Sequence, residues 1–359
     1  MSLEQNAIDG AKNLLINCAD LKSDETLLII SEDPQYGWYD RAAANVVAEQ
    51  AAQMGITPTR INVGEPGNTA DPVVDAAIKA HDCTIYFARI GDQDRFGNLA
   101  PGKKSVMSYI RDVEMLGSAY GHTHYGATIE LKEAVNDILL SAENIKITCP
   151  AGTNVEGHAS SSAREQKTDV SVLRFPLGVP LPMEATEFSG QVAITRFITP
   201  TGSKIYHPAS VSLEGTVTAK FTNGRIDGFS GESQRDVIRS EDHYAMVART
   251  FKIDPDVVHS WHAGIHPGCD SNHPAEADPD RWSNTVFTNP RVLHFHTCGA
   301  YAPGEICWMI FDHTVCVDGI NLWEDGRLLP QAFAQTRTCL ENWPELTALC
   351  DNPAQGIGI

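Results

Sequence analysis

Two histidines two residues apart, His294 and His296, stand in the segment Arg291–Cys298, RVLHFHTC. Polar and apolar residues alternate there as in a strand, and a period of two puts both imidazoles on one face. Glu305 and Cys307 repeat that spacing in the next apolar run, EICWMIF. If the two runs pair as a hairpin, two imidazoles and a carboxylate converge. That is metal-ligand chemistry. Neutral imidazole and carboxylate suit iron, zinc or manganese, and two histidines with one carboxylate favour iron. A third ligand is available in His262, which lies in WHAGIHPG. Gly264, Pro267 and Gly268 there suggest a loop held close to a neighbour.

Histidines are dense in this region. The chain has 13 histidines, and seven fall between His259 and His313. Not all need do chemistry. A histidine on a sheet face is commonly a hydrogen-bonded structural residue, and His259 reads as a helix-end residue. His266, His273 and His313 sit beside proline, aspartate or a turn, where surface placement is expected. Asp312 and His313 read as a tight turn between two strands, and either could orient a substrate or move a proton. A second cluster, His122-Thr123-His124-Tyr125, lies between Gly121 and Gly126. It is either a substrate-contacting loop or a polar surface loop.

Other chemistries lack residues. No Gly-x-Ser-x-Gly elbow occurs, and Ser160-Ser161-Ser162 has no placed histidine partner. The nine cysteines show no Cys-x-x-Cys spacing, so a thiolate zinc site and a disulfide framework are not expected. With 27 basic and 46 acidic residues among 359, the net charge is −19, which opposes nucleic-acid and anionic-membrane partners. No basic-then-apolar leader and no apolar run of about 18 residues is visible, so a cytoplasmic protein with reduced thiols is expected.

The elements that must hold these groups fall into two textures. Through residue 150 short apolar runs alternate with helical patterns. Glu25–Ser31, Thr57–Val63, Cys83–Ile90 and Asn144–Cys149 read as strands. Arg41–Met54, Asp71–Ala80, Ser105–Met115 and Glu130–Ala142 read as helices. Such alternation predicts a parallel sheet with crossover helices. The first strand is followed by EDPQYGWYD, with no glycine-rich phosphate fingerprint, so a nucleotide cofactor is not expected. After Pro150 the chain turns rich in Val, Thr, Phe, Gly and Pro. Val211–Phe221 and Ile226–Gly231 form a hairpin around Asn223-Gly224, and Glu241–Phe251 is a helix. The expected fold class is α/β, with an N-terminal parallel-sheet α/β domain over 1–150. A β-rich α+β C-terminal domain over 151–359 carries the site.

Several short segments in this order resemble a known family. Gly152-Thr153-Asn154, Glu214-Gly215-Thr216-Val217, Gly224-Arg225-Ile226 and Gly231-Glu232 resemble the aminopeptidase T family of metallopeptidases. Val317-Asp318-Gly319 and Glu324-Asp325-Gly326 match its final strands. Asp254-Pro255-Asp256-Val257 with His262-Ala263-Gly264-Ile265 resembles more closely its offshoot, the 2,5-dihydroxypyridine 5,6-dioxygenases. The resemblance implies an α/β first domain, a metal-bearing second domain and a homo-oligomer. In the peptidases it implies a carboxylate- and histidine-rich two-metal site. In the dioxygenases it implies one iron(II), held by a loop histidine and a His-x-Asp pair on a late strand. The loop histidine maps onto His262, where a peptidase would have glutamate. The His-x-Asp pair maps onto Glu305 and Cys307, so the usual site is not retained whole. Either His262 and Glu305 are joined by His294 or His296 in a rebuilt site, or the metal is lost.

The resulting expectation is an iron(II)-dependent ring-opening dioxygenase acting on a hydroxylated pyridine or similar small aromatic. Its metal ligands would be His262, Glu305 and His294 or His296, with His122, His124, Asp312 and His313 as catalytic candidates. A metal-dependent hydrolase using zinc or another divalent ion is the alternative. A metal-free lyase, isomerase or binding protein on the same scaffold is the third.

Overall fold

The structure is a computed structural model that describes residues 2–93, 95, 99–165, 170–301 and 304–359. It divides into two compact units. The first is Met1–Ile129 with Thr168–Leu177, and the second is Glu130–Lys167 with Gly178–Ile359.

The first unit contains a parallel sheet in the order Thr59–Val63, Leu27–Glu32, Cys83–Phe87, Lys104–Ser108 and Leu173–Phe175. Every residue of Leu27–Glu32 and Cys83–Phe87 is buried, as an interior parallel strand requires. Helix Arg41–Gln53 starts where the Asp40 side chain accepts from the Ala43 amide, and it buries an Ala-rich face with Val47. Ser105–Met115 is not the helix that its residues suggest. Lys104–Ser108 is a strand, buried from Ser105 onward, and only Val113–Leu116 is helical. A short apolar run does not distinguish the two states by periodicity, and the sheet position decides.

The boundary expected at residue 150 is drawn differently by strand pairing. Ile145–Thr148 pairs with Asn154–Gly157 and Thr314–Val317 in the second unit. Leu173–Phe175 pairs with Lys104–Ser108 in the first. Neither partner is readable from local pattern, because both pairings join distant segments.

The second unit is built on two antiparallel sheets. One runs Arg225–Gly231, Val217–Thr222, Phe188–Ile194, Asn154–Gly157, Ile145–Thr148, Thr314–Val317, Ile320–Glu324, Arg327–Leu328. The other runs Val211–Ser212, Phe197–Pro200, Ile306–Phe311, Val292–Thr297, Val258–Ala263, Met183–Glu184. Aromatic pairs join them face to face. Phe188 meets Trp261 edge-on at 5.7 Å, Phe221 meets Phe295 at 6.1 Å, and Phe229 meets Trp308 at 6.3 Å. Strand alternation then sends His262, His294 and His296 to the opposite face of the second sheet. Helix Pro279–Val286 covers part of that face, where Trp282 and Val286 pack with Phe197, Val292, Cys307 and Met309. The hairpin expected from Val211–Phe221 and Ile226–Gly231 forms only from Val217, because Val211–Ser212 pairs with Phe197–Ile198 in the other sheet; strands 292–297, 306–311 and 314–317 form.

Candidate metal centre

Antiparallel pairing sets His262 directly opposite His294, and Ser260 directly opposite His296. The three imidazoles therefore share a face. Their ring centroids are 4.1 Å apart for His262 and His294, 4.9 Å for His294 and His296, and 5.0 Å for His262 and His296. One ligand nitrogen from each lies within 4.8 Å of the others. All three side chains are buried.

Two of the rings are held by outer partners. His262 Nδ1 lies 3.2 Å from the Pro180 carbonyl oxygen, and His296 Nδ1 lies 3.2 Å from Ser260 Oγ. A carbonyl only accepts, so His262 Nδ1 carries the proton and Nε2 presents its lone pair. That is the arrangement by which protein metal sites fix an imidazole. The Phe287 and His294 rings are nearly perpendicular, with centroids 5.8 Å apart. The donor set fits a divalent transition ion. Three imidazole nitrogens at one point would hold such an ion and leave coordination positions open to other groups.

The structure brings His262, His294 and His296 together but not Glu305. His296 pairs with Cys307 and Thr297 with Ile306, so Glu305 falls beyond the ladder. Its amide is shared between the Thr297 and Cys298 carbonyls. Two strand residues span roughly 7 Å, so the right face does not give the right place along it. The fully buried Glu305 carboxylate instead accepts from Ser203 Oγ at 3.1 Å and from the Tyr301 hydroxyl, with Lys204 Nζ at 3.9 Å. Cys307, opposite His296, packs among apolar side chains, and burial pushes its thiol up to about 12. It stays a protonated core residue.

The other candidates have structural partners. Asp312 makes a two-pronged ion pair with Arg291, at 2.7 Å to Nε and 2.9 Å to Nη2, closing the far end of the 292–311 hairpin. His313 is fully buried beside Trp323, not on the surface, and desolvation lowers it to about 3. His266 is likewise buried, neutral and lowered to about 3. In the first unit, His122 Nε2 meets the Asn6 carbonyl, and His124 Nδ1 accepts from the Gly126 amide at 3.1 Å. Asn13 locks the same loop. Its Nδ2 donates to the Gly121 and Thr123 carbonyls at 2.9 and 2.8 Å, and its Oδ1 accepts from the Tyr125 amide at 3.0 Å.

Two placements differ from the sequence reading. His262 lies on strand Val258–Ala263, not in a loop, and the chain turns only after it. Gly264 permits that turn, since a Cβ there would meet the Asn289 carbonyl oxygen at 2.1 Å. His259 is not at a helix end. It is the extra residue of a β-bulge, where Val258 pairs with Thr297 and Ser260 with His296.

No protein-family model matches the chain, and no curated protein matches it in sequence. Solved structures do match. A 2,5-dihydroxypyridine dioxygenase from Pseudomonas putida KT2440 superposes with a TM-score of 0.60 at 11% identity. The match covers 94% of this chain and 100% of that one. The chain has the fold of that enzyme. It is also similar to wild-type AmpT from Thermus thermophilus, with a TM-score of 0.51 and 12% identity over 91% of this chain and 100% of that one. These are the two branches that the sequence motifs resemble. At such identities the likeness is one of scaffold, and the histidine cluster is this chain's own evidence for chemistry.

Proposed function

We propose that this protein is a metal-dependent dioxygenase that opens a small hydroxylated aromatic ring, with iron(II) held by His262, His294 and His296. The buried three-imidazole group carries this reading. The scaffold shared with a dihydroxypyridine dioxygenase supports it. Bound iron(II) would supply Lewis acidity to a chelating hydroxyl and electrons for O2 chemistry. The chain's part is positional. The Pro180 carbonyl and the Ser260 hydroxyl orient two rings, and burial limits competing water. Phe287 offers an aromatic edge beside His294 for a flat substrate. The donor set is neutral, so the charge of a divalent ion is left for the substrate to balance. A hydroxyl that ionises on binding suits that requirement.

A metal-dependent hydrolase is the second reading. Three histidines with an open position are also the donor set of hydrolytic zinc. Oxygen uptake with dihydroxypyridines by iron-loaded protein tests the choice. Uptake dependent on iron(II) supports the oxygenase. Turnover of an amide substrate by zinc- or cobalt-loaded protein under anaerobic conditions supports the hydrolase. Activity unaffected by a chelator contradicts both.

A further inference from the structure

Ser260 is fully buried and lies between two imidazoles. Its Oγ is 3.2 Å from His296 Nδ1 and 2.9 Å from His259 Nδ1. In a regular strand, residues 259 and 260 point to opposite faces. The bulge between Val258 and Ser260 breaks that alternation and lets the two side chains meet. On its other side Ser260 is in register with Glu184, whose carboxylate accepts from Ser160 and Ser162 hydroxyls at 2.7 and 2.9 Å.

A hydroxyl has one proton to give, so the order of donors in this line is constrained. For His296 Nε2 to act as a ligand, Nδ1 must carry the ring proton. Nδ1 then donates to Ser260 Oγ, and the hydroxyl proton points to His259 Nδ1. The reverse order would give His296 an Nε2 proton and remove a ligand from the cluster. We propose that Ser260 is a positioning residue for the metal centre, its hydroxyl accepting the His296 Nδ1 proton while donating to His259, so that His296 Nε2 faces His262 and His294. This rests on the three-histidine metal reading above. The bulge at His259 serves it by supplying the acceptor that the hydroxyl needs.

The test compares wild type, Ser260→Ala and Ser260→Thr. Cobalt(II) affinity is measured by calorimetry and visible absorption, and the ring tautomer by nitrogen NMR of histidine-labelled, metal-free protein. Loss of an outer partner typically weakens metal binding about 10–100-fold. The expected result is a loss of that size in Ser260→Ala with an altered cobalt spectrum, and recovery in Ser260→Thr. Metal-free wild type should show His296 protonated at Nδ1, and Ser260→Ala should show a mixture of tautomers. If Ser260→Ala folds poorly, the tautomer in wild type still decides, since an Nε2-protonated His296 overturns the proposal. Wild-type affinity and spectrum in Ser260→Ala would also overturn it while leaving the three-histidine site standing. A wild type that binds no cobalt would overturn the site itself.

Discussion

His262 and His294 face each other across neighbouring antiparallel strands with ring centroids 4.1 Å apart. Adding His296, two residues along, puts three imidazoles in one buried group, with no carboxylate in it among the described residues. Three imidazoles converging at that spacing form a set of nitrogen donors that one cation could share.

Each ligand should therefore be separately necessary. Alanine at His262, His294 or His296 is expected to weaken cobalt or iron binding by more than about 100-fold, beyond the usual effect of losing only an outer partner. Calorimetric titration of the folded variants checks this. A single variant that binds like wild type would remove that residue from the site.

Asp312 should behave as a structural residue. Its two-pronged pair with Arg291 is partly exposed, with side-chain exposures of 36% and 24%. Asp312→Asn is expected to cost about 1 kcal/mol or less, with turnover nearly unchanged. Denaturant unfolding and steady-state rates measure both. A large loss of turnover at unchanged stability would restore Asp312 as a catalytic group.

Acid should destabilise the fold through its buried neutral histidines. Burial holds His266 and His313 at about 3 and His243 at about 4, well below the ordinary value of 6.5. Below that ordinary value the unfolded chain takes up protons that the folded chain does not. Stability is thus fully present above the unfolded value and is lost as pH falls toward the folded values. Each such histidine contributes a slope of about 1.4 kcal/mol per pH unit in that window. His313→Leu should flatten the pH dependence between 6 and 4 by about that amount per unit. An unchanged slope would mean that His313 is protonated in the folded state.

The loop carrying His122 and His124 should depend on Asn13 for order. Asn13→Ala leaves two carbonyls and one amide without their side-chain partner. The expected cost is about 2–4 kcal/mol, read as a lower unfolding midpoint. Little change would mean that other groups hold this loop.

The strands bearing the site were legible because their alternation is regular. In RVLHFHTC the apolar Leu293 and Phe295 mark the inner face, so the histidines had to share the other. The glycines and proline after His262 mark a turn that points to it in sequence, although the residue itself is on a strand. The sequence does not separate Glu305 from the histidines, because period two fixes the face of a side chain and not its distance along the ladder. Ser105–Met115 reads as a helix in sequence because a short buried strand and a short helix share one apolar signature. Ser260, Pro180 and the bulge at His259 left no local signal. Their roles arise from pairings between segments far apart in sequence, including a carbonyl that any residue could have supplied.

On the proposed function, His262, His294 and His296 together hold one metal ion. Elemental analysis of untagged protein, purified anaerobically after iron supplementation, tests it most directly, alongside a His262→Ala, His294→Ala double variant. The expected result is about one equivalent of iron or a substituting divalent metal per wild-type chain, as a single site requires, and almost none in the variant. A metal-free wild type, or equal metal in both proteins, would contradict it.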